Sequence, residues 1–304
     1  MMTLADDALR GSIPPLVTPF RDGAVDYDTY ARLVDWQINE GSHGVVVCGT
    51  SGEPSVLTIA ERQQLAEVAI DAAAGRIPVT VATGSQSHAE TVQLTEHATR
   101  AGAAALLIVT PYYVRPPRRG LVAYFADVAR HTDLPWLVYH IPGRAAVGVD
   151  LGTLADIAEQ SPNFVGIKQA VADLGLVTES LMTFGADFRV LVGLEEMSYP
   201  MLALGASGMV NAVGNVAPAK VVALYDAVVG GGFEDGRRAH QELFELNRAV
   251  FYDTNPIPVK YMMWRLGVLP NDEHRLPMMP PTPEVAARLD AVLLAAGLTA
   301  SIRK

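Results

Sequence analysis

Short, almost wholly apolar runs alternate along the chain with longer amphipathic segments. Parallel strands that are covered on both faces have such runs, so the pattern predicts a parallel sheet with helices packed against it. The eight candidate strands are Ile13–Thr18, Gly44–Cys48, Val79–Ala82, Ala104–Thr110, Trp136–His140, Phe164–Lys168, Arg189–Gly193 and Gly208–Ala212. The candidate helices between them include Thr58–Ala74, Ser87–Ala101, Arg119–His131, Leu151–Glu159 and Ala172–Phe184.

Three of the predicted helices start with a recognisable cap. Thr58 and Ser87 are each followed three residues later by a glutamate, Glu61 and Glu90. This spacing is typical of a capping box, in which the hydroxyl and the carboxylate each accept a hydrogen bond from a free backbone amide. Asp150 stands in the capping position before the helix that begins at Leu151.

Eight strand–helix units in one chain favour a closed (β/α)8 barrel, the TIM barrel of the α/β class. An open, doubly wound sheet is the alternative. Strand signals stop after about residue 229, so we predict a barrel over residues 1–229 and a C-terminal helical region over 230–304. The helices predicted in that region are Phe233–Asp253, Ile257–Leu266 and Pro283–Ala296.

Composition narrows the class of protein further. Half of the 304 residues are apolar and 18% are charged, which suits a globular chain with a large core. The net charge of −10 argues against nucleic acid and anionic membranes as partners. Cys48 is the single cysteine, which excludes an internal disulfide and a cysteine-rich zinc site. We expect a cytoplasmic protein, since neither a signal peptide nor a long apolar stretch is evident.

Lys168 closes the apolar run Phe164-Val-Gly-Ile-Lys168. The active site of a (β/α)8 barrel lies at the carboxyl ends of its strands. A lysine buried there favours its neutral amine, which can attack a carbonyl carbon to form a Schiff base. The structural alternative is a lysine that extends from the strand end into solvent.

The preceding strand offers two further candidates. Tyr139 lies near its end, where a phenol can exchange protons with a Schiff-base intermediate. Arg144 follows in the turn Ile141-Pro-Gly-Arg144, and its guanidinium suits a substrate carboxylate. The structural alternatives are a tyrosine that fills the barrel mouth and an arginine in a surface ion pair.

Two loops complete the candidate site. Gly49-Thr-Ser-Gly-Glu53 follows the second strand, and its hydroxyls and amides can converge on a small anion. Thr110-Pro-Tyr-Tyr113 follows the fourth strand and suggests a substrate lid or a subunit interface. The first loop alone is also compatible with an ordinary turn, and the second with two tyrosines that pack on their own barrel.

The sequence contains no sign of a cofactor. Its seven histidines show neither HExxH nor HxH spacing, so no catalytic metal is predicted. No GxGxxG, GxxxxGK[ST] or GxSxG motif is present, which argues against a dinucleotide, a nucleotide and a serine nucleophile.

In their order along the chain, these motifs make the sequence similar to a known enzyme family. It resembles the dihydrodipicolinate synthase / N-acetylneuraminate lyase family of pyruvate-dependent class I aldolases. The resemblance extends from residue 11 to Lys260 and is carried by Gly49-Thr-Ser-Gly-Glu53, Thr110-Pro-Tyr-Tyr113, Tyr139-His-Ile-Pro-Gly-Arg144, Gly166-Ile-Lys168 and Asn255-Pro-Ile-Pro-Val-Lys260.

The resemblance implies a (β/α)8 barrel in which Lys168 forms a Schiff base with pyruvate or another 2-oxo acid. Tyr139 would be the central acid and base, and Thr50 would pass protons between it and Tyr113. In the family that second tyrosine reaches into a neighbouring subunit's site, which implies a homodimer or homotetramer. The covalent imine at Lys168 takes the place of a cofactor.

The resemblance also implies a set of substrate contacts. Ser51 would hold the pyruvate carboxylate, Val210 would line the ketone pocket, and Arg144 would bind the carboxylate of a second substrate. Gly193 and Glu195 lie in Gly193-Leu-Glu-Glu196, which is closer to the lyase branch, where acidic residues contact a polyhydroxylated substrate. The synthase branch usually has other residues at His140, Ala145 and Gln169.

The main functional prediction is the condensation of pyruvate with an aldehyde such as aspartate semialdehyde. A retro-aldolase, dehydratase or deaminase that acts on a hydroxylated 2-oxo acid is the alternative within the fold. A pseudoenzyme that binds a 2-oxo acid is the non-enzymatic alternative. A metal-dependent aldolase is disfavoured because the sequence lacks a ligand cluster.

Overall fold

The computed structural model describes residues 2–298. Its main sheet has eight strands, named β1 to β8 in chain order, and every neighbouring pair is parallel. The strands are Gly11–Ser12, Val45–Val47, Val79–Ala82, Ala105–Val109, Trp136–His140, Phe164–Gln169, Arg189–Val192 and Gly208–Met209. All eight overlap or adjoin predicted strands.

The two ends of this sheet meet, so the sheet closes into a barrel. The strand order runs β1, β8, β7, β6, β5, β4, β3, β2. Pro15 forms a parallel bridge with Val46, and the Leu16 amide donates to the Val46 carbonyl at 2.9 Å. The fold is therefore the predicted (β/α)8 barrel, not the open sheet.

The first and last strands are shorter than predicted. The predicted Ile13–Thr18 strand contains Pro14 and Pro15, which have no amide hydrogen to donate to a neighbouring strand. Regular pairing therefore covers only Gly11–Ser12, and a bridge at Pro15 continues it. An antiparallel hairpin, Phe20–Arg21 with Ala24–Val25, was not predicted. Its Asp-Gly turn is a known hairpin signal.

Helices surround the barrel and form the C-terminal region. Within residues 2–298 they are α1 Tyr27–Asn39, α2 Ile59–Ala73, α3 His88–Ala101, α4 Arg118–Ala129, α5 Pro142–Ala145, α6 Leu151–Gln160, α7 Leu174–Phe184, α8 Ser198–Ala203, α9 Pro218–Val229, α10 Phe233–Ala249, α11 Ile257–Arg265 and α12 Pro283–Ala295. None of them is both long and apolar enough to span a membrane.

All three predicted caps are formed, but one of the two predicted capping boxes is incomplete. Thr58 and Glu61 make the full capping box, and Asp150 accepts from the Thr153 amide. Ser87 accepts from the Glu90 amide, but the Glu90 carboxylate accepts from Ser85 Oγ at 2.7 Å instead of closing a box. The Ser87 amide instead donates to Ser85 Oγ at 3.2 Å, so the Ser85 hydroxyl stands between the two groups that would close the box.

Alternation along each strand separates two apolar layers. Leu106 and Ile108 face the surrounding helices, whereas Leu107 faces the barrel interior. The interior is filled by Leu9, Ile13, Val46, Ala82, Ala105, Leu107, Leu137, Tyr139, Val165, Leu191 and Val210. Polar side chains that face the barrel interior therefore lie beyond these apolar side chains, at the carboxyl ends of the strands.

Helices α10 to α12 follow the barrel, and their bounds agree with the predicted helices to within a few residues. Helix α10 packs against α9 and α12, and α12 also packs against α11. The segment between α11 and α12 returns to the barrel, where Arg275 makes two hydrogen bonds with the Glu61 carboxylate, at 2.6 and 3.0 Å. The division at residue 229 stays a prediction.

Candidate active site

Lys168 and Tyr139 lie side by side at the carboxyl ends of neighbouring strands. The pairing of β5 with β6 sets Tyr139 opposite Lys168. The Lys168 Nζ lies 4.0 Å from the centroid of the Tyr139 ring, and only 3% of Lys168 is exposed. Lys168 is thus buried inside the barrel, which contradicts the solvent-exposed alternative. Its amine adjoins a phenol that can donate or accept a proton.

A hydrogen bond connects Tyr139 to the loop after β2. The Tyr139 hydroxyl and Thr50 Oγ1 are 3.2 Å apart, and either can be the donor. Thr50 begins the 3-10 turn Thr50–Gly52. Because each hydroxyl can both donate and accept, the pair can pass a proton across the end of the barrel.

Asn255 joins two of the predicted substrate-binding residues. Its side-chain Nδ2 donates to Ser51 Oγ at 3.1 Å, and its backbone carbonyl accepts from Arg144 Nη2 at 3.3 Å. Ser51 is buried and Arg144 lies at the rim. Asn255, which closely precedes α11, thereby sets the relative positions of the buried Ser51 hydroxyl and the exposed Arg144 guanidinium.

These side chains surround a cavity of about 90 Å³. That volume fits a molecule of only a few non-hydrogen atoms. The cavity brings together eight of the nine residues predicted from the sequence, namely Thr50, Ser51, Tyr139, Arg144, Lys168, Gly193, Glu195 and Val210. Phe251, Asn255 and Ala212 also line it.

Gly193 leaves the space that the Lys168 side chain occupies. A Cβ atom built at position 193 would lie 2.7 Å from Lys168 Cε and 3.1 Å from the Ala170 Cβ. Any larger residue would therefore push Lys168 away from its place beside Tyr139. The glycine thus acts through the volume it leaves free.

Glu195 carries a buried carboxyl group into the same cavity. It is 2% exposed; its Oε1 accepts from the Ala212 amide at 2.6 Å, while its Oε2 has no hydrogen-bond partner among the described residues. Burial raises the pKa of Glu195 to about 7, although backbone amides and the Lys168 charge oppose the shift. About half of the group is therefore protonated near pH 7, and the protonated form can donate a hydrogen bond.

A wider cavity of about 340 Å³ adjoins the small one. Thr50, Tyr139, Ile141, Arg144 and Asn255 line both, so they form the boundary between the two spaces. A guanidinium at this boundary is available to a carboxylate group in the wider cavity.

Tyr113 is the one predicted site residue that lies apart. It is 85% exposed and lines neither cavity of its own chain, whereas Tyr112 lines the wider cavity. Its φ of +71° places the backbone in the left-handed region, which a non-glycine residue adopts rarely. Its proposed catalytic role therefore depends on a second copy of the chain.

Comparison with known proteins agrees with this geometry. The profile of the dihydrodipicolinate synthetase family matches residues 8–296. The chain belongs to this family. The 4-hydroxy-tetrahydrodipicolinate synthase of Thermus thermophilus is 44% identical over 92% of this chain and 94% of its own length. The synthase of Aquifex aeolicus is 38% identical over 93% of this chain and 96% of its own length.

Solved structures of the family show the same fold. The crystal structure of the Aquifex aeolicus dihydrodipicolinate synthase superimposes with a TM-score of 0.94 at 37% identity, over 97% of this chain and 100% of that one. The Thermotoga maritima enzyme gives a TM-score of 0.92 at 35% identity, over 95% of this chain and 99% of that one. The predicted family and fold are therefore confirmed.

Sequence reasoning assigned no function to Asn255 or Phe251 in this family member. Asn255 stands first in the segment Asn255–Lys260, which carried part of the resemblance, so its position was a signal. Phe251 lies just after α10 and has no local signal. Within residues 2–298, no three His, Cys, Asp or Glu side chains gather so that they could hold a metal ion.

We predict that Gly193→Ala destabilises the protein, because the new methyl group overlaps Lys168 Cε. Overpacking of this kind costs about 1–3 kcal/mol in free energy of unfolding. Gly120→Ala is the matched control, since a Cβ there would meet no atom closer than 3.6 Å and the residue lies in α4. Urea unfolding of both variants provides the measurement. Equal stability of the Gly193→Ala variant and the wild type would contradict the packing argument.

We also predict that Glu195→Gln changes how stability depends on pH. The raised pKa means that the folded state holds a proton which the unfolded state releases above its ordinary value of 4.5. The stability of the wild type therefore falls as pH rises from 4.5 towards 7. Glutamine carries no titrating proton and can still accept from the Ala212 amide.

The variant should accordingly gain stability relative to the wild type over that interval, by on the order of 2 kcal/mol. Urea unfolding at several pH values and one protein concentration measures the difference. Parallel stability curves for the two proteins would show that Glu195 is already ionised at low pH.

Proposed function

We propose that this chain is a Schiff-base-forming lyase that condenses pyruvate with an aldehyde such as aspartate semialdehyde, the reaction of a 4-hydroxy-tetrahydrodipicolinate synthase. The observation that carries the proposal is the buried Lys168 amine beside the Tyr139 phenol in a small cavity. The names of the relatives support the same reaction.

In the first step the neutral Lys168 amine attacks the ketone carbon of pyruvate. Tyr139 donates a proton to the departing hydroxyl group, water leaves, and a protonated imine remains. The imine then accepts electrons from the adjacent C–H bond as a base removes that proton, which produces an enamine. Thr50, hydrogen-bonded to Tyr139, carries protons to and from the phenol.

The small cavity has a suitable side chain for each group of pyruvate. Ser51 provides a buried hydroxyl for the carboxylate, and Val210 provides an apolar wall beside the ketone and methyl groups. The enamine carbon then attacks the aldehyde carbon of the second substrate, and a carbon–carbon bond forms. Arg144 holds the carboxylate of that substrate from the boundary with the wider cavity. The imine is hydrolysed or displaced to release the product from Lys168.

Glu195 supports a second candidate reaction within the same chemistry. Glu195 lines the cavity and its Oε2 has no partner within residues 2–298, so we assign this carboxyl group to bond a hydroxyl group of a longer substrate. This favours cleavage, dehydration or deamination of a hydroxylated 2-oxo acid as the alternative. A binding protein without catalysis has less support, because Lys168 adjoins Tyr139 and Tyr139 is hydrogen-bonded to Thr50, the order that proton transfer requires.

A homodimer or homotetramer completes the proposal. Tyr113 and Val114 are both strongly exposed at one loop, where they are available to a second copy of the chain. In such a pair Tyr113 would extend the proton relay of the partner. No resident cofactor is required, because the imine itself is the electron acceptor. A cytoplasmic location stays a prediction.

We predict that pyruvate and borohydride together trap a covalent adduct on Lys168. Borohydride reduces the imine to a stable secondary amine, which adds the mass of the reduced pyruvyl group. Intact-protein mass spectrometry measures the adduct, and peptide mapping locates it. Lys168→Arg keeps a positive charge but cannot form the imine, so it should give no adduct and no turnover. An adduct that persists in this variant would refute the assignment.

For Arg144→Ala we predict a selective defect in the second step. The KM for aspartate semialdehyde should rise at least about tenfold, since a charged hydrogen bond to its carboxylate is lost. The rate of imine formation with pyruvate should stay near the wild-type value. Arg130→Ala is the control, because Arg130 is exposed and follows α4 away from both cavities. An unchanged KM for the aldehyde would favour the second candidate reaction instead.

A further inference from the structure

A buried ion pair ties the catalytic loop to the C-terminal region. Lys260 Nζ lies 2.9 Å from Glu53 Oε1, and His274 Nδ1 lies 3.1 Å from Glu53 Oε2. The three side chains are 0–1% exposed. Glu53 closes the loop Gly49–Glu53, whereas Lys260 lies in α11 and His274 follows it. The three groups therefore connect two parts of the chain about 200 residues apart.

Glu53 lines the wider cavity and is coupled directly to the loop residues that face the small one. Its backbone amide donates to the Thr50 carbonyl at 3.1 Å, and the Gly52 amide donates to the Gly49 carbonyl at 2.9 Å. Its φ of +56° lies in the left-handed region, which costs energy for a residue with a side chain. A contact elsewhere must hold this conformation. The Glu53 carboxylate is one such contact, besides Asn255 on Ser51 and the Thr18 hydroxyl, which donates to the Gly52 carbonyl at 2.7 Å.

Lys260 is held by three groups. It donates to the Glu53 carboxylate and to the backbone carbonyl of Glu273, and its Nζ lies 4.4 Å from the centroid of the buried Phe20 ring. Burial lowers the pKa of Lys260, while the Glu53 carboxylate opposes that shift. A buried pair of this kind is a weak source of stability compared with apolar side chains of the same size. The position of the ion pair therefore says more about its role than its contribution to stability does.

We propose that Lys260, acting through Glu53, is a positioning residue that holds Thr50 and Ser51 in place for the reaction with pyruvate. Lys260 touches neither the cavity nor the reacting atoms; it fixes the loop that carries them. Asn255, five residues earlier, holds Ser51 directly. The C-terminal region thus contacts the loop twice, once at the side chain of Ser51 and once at the end of the turn. The inference rests on the proposed function.

The double variant Glu53→Gln/Lys260→Met tests this role. It removes both charges together, so that no unpaired charge is left in the interior, and the introduced amide can still bond His274. We expect the variant to fold, the KM for pyruvate to rise, and the rate of imine formation to fall about 10- to 100-fold because Thr50 and Ser51 are displaced. Lys168 should still be the residue that is trapped.

Arg265→Met/Asp290→Asn is the control. This partly buried pair, with Arg265 Nε 3.3 Å from Asp290 Oδ1, joins α11 to α12 within the C-terminal region and not to the loop. Its removal should lower the melting temperature and leave the pyruvate KM and the imine rate unchanged. If the Glu53/Lys260 variant kept wild-type kinetics, or if both double variants lost activity equally, the positioning role would be overturned.

Two further measurements keep the outcome decisive. Glu53→Asp retains both charges but shortens the link by one methylene group, so it should raise the KM for pyruvate. This variant provides the test if the double variant does not fold. Hydrogen exchange over residues 49–53 should become faster in the Glu53/Lys260 variant and not in the control. Exchange does not depend on the reaction. A wild type that forms no imine would therefore overturn the proposed function, while unchanged exchange would overturn the role of Lys260.

Discussion

The placement of the Lys168 amine beside the Tyr139 ring depends on the pairing of two parallel strands. Side chains alternate between the two faces of a strand, so a shift of one residue would move Lys168 from the barrel interior to the layer under the helices. The register of β5 and β6 instead sets the two residues opposite each other, with Nζ 4.0 Å from the ring centroid. Gly193 leaves room for the lysine chain beside the ring.

The barrel alone does not complete this site. Thr50 and Ser51 come from a loop, and that loop is bound from outside the barrel by Asn255 and by the pair of Glu53 with Lys260. Loops at the carboxyl ends of strands carry the chemistry in this fold, but they are less constrained than the strands. The C-terminal region therefore contributes to the site by holding this loop against the barrel.

The sequence predicted the features that depend on local patterns and could not predict those that depend on distant contacts. Continuous apolar runs identified the strands, and strand ends drew attention to Lys168 and Tyr139. No local pattern indicates the contact of Glu53 with Lys260, since 207 positions separate them. The raised pKa of Glu195 likewise arises from burial, which a sequence does not show. The short first strand, by contrast, has a local cause, because two adjacent prolines lack an amide hydrogen.

The electrostatics of the cavity resolve an apparent conflict with the net charge of −10. The proposed substrates are anions, and a strongly acidic protein repels them at long range. Among the residues that line the small cavity, Arg144 and Lys168 are basic and Glu195 is the one carboxyl group. With a pKa of about 7, Glu195 is largely neutral on the acidic side of neutrality. The site therefore presents positive charge and neutral donors to a carboxylate, even though the protein as a whole is acidic.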